Sequence, residues 1–382
     1  MTQALALKRM LEEAGHSVVS VFMGENPARP LPGFVRDKLG SLLHTYQAPV
    51  FVLDEKQQGV LPWSSVRQAF TRLPRYWAAG PEIHQEIRET RPNLIVNFYD
   101  LLGGLYAAFY RPRIPVVAIA HQYLFLHPRF PVVREKWWEV LGVRLNTLLT
   151  ALTADLRLAL SFTPLPDLPR RRIRVVPPLL REAVLSAEPR EGEHILAYVL
   201  NPGYAGELDR WQREHPEVEL HCFWDRRDVP STLSPRKGVV FHRLDDQVFL
   251  DLLATSRGYV STAGFESVCE AAFLGKPVMV VPTGHHTEQR CNALDAERAG
   301  VAMWREDFDL TDFVSALDAF APEARAHFQT WVREARDIIL PLLQMVTWGA
   351  TTADPLPGPG GPLSAPEAVP GTRRAHPGPG SS

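Results

Sequence analysis

Two glutamates one helical turn apart, Glu266 and Glu270, follow a turn of small residues, Thr262, Ala263 and Gly264. In a helix that spacing puts both carboxylates on one face. A carboxylate aimed into a cleft accepts hydrogen bonds from two neighbouring sugar hydroxyls. The turn joins a short apolar strand ending at Ser261 to a helix predicted to open at Phe265 and run over 265–274, where Gly275 stops it. Unpaired N–H groups and the positive end of the helix dipole meet at such a turn. Gly264 lets the backbone come close, so the turn suits a diphosphate. The plainer reading is that Glu266 complements the dipole and Glu270 is a solvated helix residue. Downstream, Glu288 and Gln289 open the next helix as an acid and amide pair able to fix the orientation of a hexose. His285 and His286 lie on the polar loop before them. No third ligand stands at a metal-binding spacing, so one of these histidines is read as a phosphate or sugar contact and no metal is expected.

Two groups are candidates for moving a proton. His121 follows an apolar strand predicted over 115–120, and an imidazole near its free pKa suits removal of a proton from a hydroxyl. The plainer reading is a histidine that bonds loop backbone. Asp100, just after a strand predicted over 93–98, is the second candidate base.

These residues sit in an alternation of strands and helices. Strands are predicted over 17–23, 48–53, 93–98, 115–120, 173–176, 194–200, 218–224, 239–241 and 278–281, with helices between several of them, the first over 1–14. Alternation of this kind implies parallel, doubly wound α/β sheets, with function at the carboxyl ends of the strands, here 97–100 and 120–123. The irregular stretch 177–193 is the predicted domain boundary, placing domains at 1–178 and 179–335. One long helix is expected over 322–348, its end, 336–350, crossing back to the first domain. The 351–382 tail, with eight prolines and six glycines, is expected to be disordered. Trp137 and Trp138, among basic residues, fit either a membrane-surface helix or packing under loops; packing is the favoured expectation.

Composition bounds the class. At 382 residues, 45% hydrophobic and 22% charged, the chain is long enough for two full cores. A net charge of -2 leaves no nucleic-acid footprint. Three cysteines without a C-x-x-C pair read as reduced thiols in a cytoplasmic protein. No apolar run is long enough to span a bilayer and no leader stands at the N-terminus, which leaves peripheral contact with a membrane open.

The run from Ser261 to Pro282, S-T-A-G-F-E-S-V-C-E-A-A-F-L-G-K-P-V-M-V-V-P, followed by H-x-x-E-Q-x-x-N-A and a closing A-G-V, resembles the donor-binding half of GT-B glycosyltransferases. It is most similar to the peptidoglycan N-acetylglucosaminyltransferase and UDP-glycosyltransferase families. The resemblance is dense over roughly forty residues and much more specific than a lone glycine motif. It implies two Rossmann-like domains facing a cleft. The position of Glu270 would hold the ribose hydroxyls of UDP, Ala263 to Phe265 would face the diphosphate, and Glu288 and Gln289 would contact the sugar. The backbone at Leu244 would read uracil, and Asn292 would support the loop. It implies an inverting hexosyltransferase that takes a UDP-sugar donor and a small-molecule or lipid-linked acceptor, without cofactor or metal.

Two departures qualify the resemblance. In the family a strand and a glycine turn precede a segment like Met1 to Leu7, so the first strand is expected to be missing here. The glycine-rich turn that faces the phosphates reads Asn201, Pro202, Gly203, Tyr204, Ala205 and Gly206, which puts phosphate contact there in doubt. A sugar-nucleotide binding protein without turnover, and a UDP-N-acetylglucosamine 2-epimerase, are the alternatives.

Overall fold

The computed structural model describes residues 1–25, 31–47, 79–133, 136–199, 202–226, 229–284, 286–320 and 322–348. In the first half these form α1 (Thr2–Glu13), β1 (Val21–Glu25), α2 (Gly33–Leu39), β2 (Leu43–Gln47), α3 (Gly80–Thr90), β3 (Ile95–Asn97), α4 (Leu101–Tyr110), β4 (Val116–Ala120), α5 (Trp137–Leu149), β5 (Leu156–Leu160) and β6 (Ile173–Val176). In the second half come α6 (Glu182–Leu185), β7 (Ile195–Val199), α7 (Pro202–Glu214), β8 (Leu220–Trp224), β9 (Thr232–Arg236), β10 (Val239–Arg243), α8 (Asp246–Thr255), β11 (Gly258–Ser261), α9 (Phe265–Phe273), β12 (Val278–Val280), α10 (Thr287–Arg298), β13 (Met303–Trp304), α11 (Thr311–Ala316), α12 (Pro322–Arg333) and α13 (Ala335–Trp348). The strand predicted over 48–53 lies outside the described residues.

The second half is a seven-stranded sheet in the order β13-β12-β11-β7-β8-β10-β9. All its pairings are parallel except that of the edge strand β9. Counted from β7, its six parallel strands run 3-2-1-4-5-6 across the sheet, the doubly wound order whose direction reverses between β7 and β11. The first half carries the parallel sheet β3-β4-β5-β6 and a separate parallel pair, β1-β2. Its buried strand Val116–Ala120 is a continuous apolar run, as a sheet covered on both faces requires, while buried Ile173–Val176 is broken by Arg174, whose charge is paired with Asp167.

One core joins the halves. Leu156, Leu158 and Val176 of the first sheet share a buried cluster with Phe265, Val268, Ile339 and Leu343. The helix predicted over 322–348 is two helices, parted at Glu334, where the backbone N–H reaches only to the Trp331 carbonyl, one residue short of a helical bond. Arg336 of α13 donates to Glu13 of α1 at 2.9 Å, and the Trp331 indole donates to the Ser161 carbonyl at 3.0 Å. The C-terminal helices thus lie against the first half.

The tryptophans on α5 correct an expectation. Val140 and Thr147 occupy the buried side of that helix, so the opposite face turns outward, with Trp137 66% and Trp138 56% exposed. Leu141, Leu145 and Leu148 of the same helix are exposed too, as is Leu152 just beyond it.

Candidate active site

Ligands of doubly wound sheets bind outside the carboxyl ends of the strands where the order reverses. Here that crevice is bounded by the end of β11, from Ser261 to Gly264, and by the start of α9. Ala263 and Phe265 are buried and Gly264 is exposed. Gly264 supplies no side-chain cap, so the first N–H groups of α9 are open to another acceptor. Asn292 of α10 donates to the Ala263 carbonyl at 3.4 Å, the support expected of it.

The first half meets this turn. His121, at the end of β4, stacks on Phe265 with ring centroids 3.9 Å apart, and Phe130 and Phe162 present their edges to it. Its Nδ1 donates to the Leu160 carbonyl at 2.8 Å, which leaves the lone pair on Nε2. That Nε2 is buried, with the Asn292 side chain beside it. Burial pushes the imidazole down to about 4, so His121 is neutral near pH 7. Asp100, by contrast, spends both oxygens on the fold. One accepts from Gly103 N at 2.7 Å, capping α4, and the other accepts from the Tyr46 hydroxyl. Asp100 is thus committed to holding its own loop and helix.

Further polar contacts cross between the halves. Gln122 donates to Glu288 Oε1 at 2.9 Å, and Thr287 donates to Glu139 of α5. Gln289 is held by its own loop, its Oε1 accepting from both the N–H and the hydroxyl of Thr283 at 2.8 Å. His286 caps α10 by accepting from Gln289 N; His285 lies outside the described residues. The stretch opening at Pro202 is the first turn of α7, and the buried Tyr204 hydroxyl accepts from Gly284 N at 3.0 Å. Among the described residues no group of three His, Cys, Asp or Glu side chains could hold a metal.

Glu266 is half exposed and accepts from the Thr2 hydroxyl. Glu270 is 4% exposed. Arg181, which the sequence did not single out, donates from Nε and Nη2 to its two oxygens, each at 2.6 Å. Burial holds the Glu270 carboxyl above the ordinary carboxylate range, against the pull of Arg181. Leu244 lies 43% exposed between β10 and α8, and Asp245 caps α8 by accepting from Val248 N at 3.0 Å. No local pattern marks Arg181, because its partners come from distant parts of the chain.

One carboxyl behind the site has no counter-charge in contact. Asp295 of α10 leaves Oδ2 without a partner, and burial pushes its pKa up to about 7. A folded value above the unfolded one means that its contribution is present below about pH 4 and lost as pH rises through 7. Asp295→Asn is expected to raise stability by about 1–3 kcal/mol at pH 8 and to leave it unchanged near pH 4, as urea unfolding at the two pH values will show.

The family model described as glycosyl transferase family 1 matches residues 51–320. The chain belongs to that family. Sugar transfer is its reaction class, and the fold is GT-B, with two Rossmann-like halves. A stretch of 63 residues of this glycosyltransferase is 40% identical to the UDP-N-acetylglucosamine–N-acetylmuramyl-(pentapeptide) pyrophosphoryl-undecaprenol N-acetylglucosamine transferase of Lactobacillus helveticus (strain DPC 4571), covering 15% of this chain and 17% of that relative's length. Among solved structures, the calicheamicin glycosyltransferase CalG4 superposes with a TM-score of 0.57 at 16% identity, over 92% of this chain and 96% of that one. The spinosyn rhamnosyltransferase SpnG, complexed with thymidine diphosphate, superposes with a TM-score of 0.52 at 14% identity, over 89% and 96%. These identities are low, and the two likenesses are likenesses of fold.

Proposed function

We propose that this glycosyltransferase moves a hexose from a UDP-sugar to a hydroxyl acceptor with inversion at the anomeric carbon. The observation that carries the reading is the Ala263 to Phe265 turn, an uncapped helix start at the reversal point of the second sheet with the Nε2 of His121 close by. The donor lies on the second half, its diphosphate against the first N–H groups of α9, its ribose at Glu270, its uracil at the Leu244 backbone, and its sugar beside Glu288, Gln289 and the histidine loop, 285–286. The acceptor oxygen attacks the anomeric carbon from the face opposite the diphosphate. The new C–O bond forms as the bond to the phosphate oxygen breaks, and UDP departs with that electron pair. The acceptor proton passes to His121 Nε2. A diphosphate nearby favours the imidazolium and so raises the basicity that burial lowers. The helix start meets the charge that builds on the leaving group, which is preorganised electrostatic stabilisation and needs neither a metal nor a cofactor. Proton NMR of the glycoside formed from an α-linked UDP-sugar tests the stereochemistry: a β-linked product is expected, and an α-linked product overturns the inverting mechanism.

The acceptor side favours a lipid-linked substrate at the cytoplasmic face of a membrane. Among the described residues no helix is long and apolar enough to cross one. The exposed face of α5, with Trp137, Trp138, Leu141 and Leu145, fits peripheral contact. Vesicles containing anionic phospholipid are expected to sediment the protein, and Leu141→Ser with Leu145→Ser to weaken that binding by about tenfold or more. Equal sedimentation of the variant contradicts docking through this face.

A further inference from the structure

Three histidines meet on the face of the second sheet that α8 covers. His194 stands just before β7, His221 is the second residue of β8 and His242 the fourth of β10. The register pairs His221 with Leu196 and Val240, so the alternation of side chains brings all three rings to one face. Ring centroids lie 4.8 Å apart for His194 and His221 and 5.1 Å apart for His221 and His242, and His242 stacks in turn on Phe223 at 5.0 Å. The hydrogen bonds run one way. His221 Nε2 donates to the Glu219 carboxylate at 3.2 Å, which leaves the ring's lone pair on Nδ1. That Nδ1 accepts from His242 Nε2 at 2.9 Å, and His194 Nε2 donates to the Leu252 carbonyl of α8 at 3.0 Å. Each bond uses one N–H and one acceptor. A second proton on His221, at Nδ1, would set two N–H groups against each other and break the chain.

We propose that this cluster is an acid-sensitive latch, its neutral rings holding the carboxyl end of β10, and the Leu244 turn that follows, against α8. The bearing of the latch on the donor rests on the reading of that turn as the nucleobase contact; the latch itself does not. Burial, with the neighbouring imidazoles, pushes His242 down to about 4, and the same causes lower His194. A folded value below the unfolded one of about 6.5 means that the closed arrangement has its full advantage above pH 6.5 and loses it as pH falls toward 4. The other charges near the rings are engaged elsewhere or exposed. Lys276 donates to the Arg190 and Ser256 carbonyls, with Glu191 near it, and Arg257 pairs with Asp318. On α8, Asp246 meets Arg181 and Asp251 accepts from Gln247, while Asp245 caps the helix. Arg236 of β9 pairs with Asp209 of α7, and exposed Arg243 alternates to the opposite face from His242.

Hydrogen exchange read by mass spectrometry on wild type, His242→Gln and His221→Gln, at about pH 7.5 and about pH 5.5, tests the latch once protection is corrected for the intrinsic rate at each pH. In wild type the segment 239–245 is expected to lose protection about tenfold at the lower pH, the change that one ring moving between values of about 6.5 and 4 produces, while 116–120 in the first sheet keeps its own. His242→Gln is expected to abolish that change, since its amide can still donate to His221 and does not titrate; His221→Gln carries the test if His242→Gln does not fold. Unchanged protection of 239–245, equal loss in both segments, or a loss that both variants retain overturns the proposal. Saturating UDP is expected to restore the protection at pH 5.5, and UDP bound without that effect detaches the latch from the donor. A wild type that binds no UDP marks failure of the donor assignment, and exchange in the free protein still decides the latch.

Discussion

Replacing Glu270 by alanine is expected to weaken UDP binding at least about tenfold and to destabilise the fold by about 3–5 kcal/mol. The two losses have different causes. The affinity falls because the acceptor of two ribose hydroxyls is gone. The stability falls because Arg181, 8% exposed, keeps its charge and, among the described residues, retains only Asp246 as an acidic partner. Removing one member of a buried pair costs more than the pair contributes, since the remaining charge stays out of water. Glu270→Gln separates the effects: it keeps the volume and one acceptor oxygen, so it should recover part of the stability while binding UDP poorly. Urea unfolding and calorimetry on the same preparations give both numbers. An alanine variant that binds UDP as wild type does removes the ribose from Glu270.

The second large effect belongs to His121. His121→Ala is expected to lower kcat by about 10²- to 10⁴-fold, the range for loss of a positioned general base, with UDP affinity unchanged within about twofold. In the proposed reaction Nε2 is the accepting nitrogen. Nδ1 donates to the Leu160 carbonyl, so the ring's lone pair lies on Nε2. Because the ring also packs between Phe265, Phe162 and Phe130, the variant loses stability as well, and assays belong well below its Tm. A fall in kcat of less than about fivefold, with the protein folded, leaves the proton transfer to another group.

The sheets and the turn were legible because their signals are local. Ile173–Val176 has the bounds that its apolar residues and the two following prolines indicate, and α9 ends one residue before the predicted position, with Leu274 as its cap and Gly275 at φ +73° after it. The edge strand Thr232–Arg236 was not legible, since its residues are mostly exposed and polar and Pro235 argues against a strand. The division of the last helix at Glu334 was hidden by an apolar pattern that continues across it, while the proline of that region, Pro341, sits inside α13. In the site, the residue types on the turn could be read, but not their partners. Arg181 lies 89 residues from Glu270, and Gln122 lies 166 from Glu288. Tertiary folding alone brings such pairs together, and for Gln122 and Glu288 it is the meeting of the two halves. Likewise the sequence of α5 contains two tryptophans but does not say which face the core takes.

The most direct test of the donor site is calorimetric titration of the chain with UDP, TDP, GDP and ADP under one set of conditions. TDP belongs in the series because SpnG, which shares the fold, is known in complex with thymidine diphosphate. UDP binding at least about tenfold tighter than the other three, and weakened at least about tenfold by Glu270→Ala, is the expected result. Preference for TDP would assign a different nucleotide to the Leu244 loop, and no binding of any of the four would contradict a nucleotide-sugar site at the Ala263 to Phe265 turn.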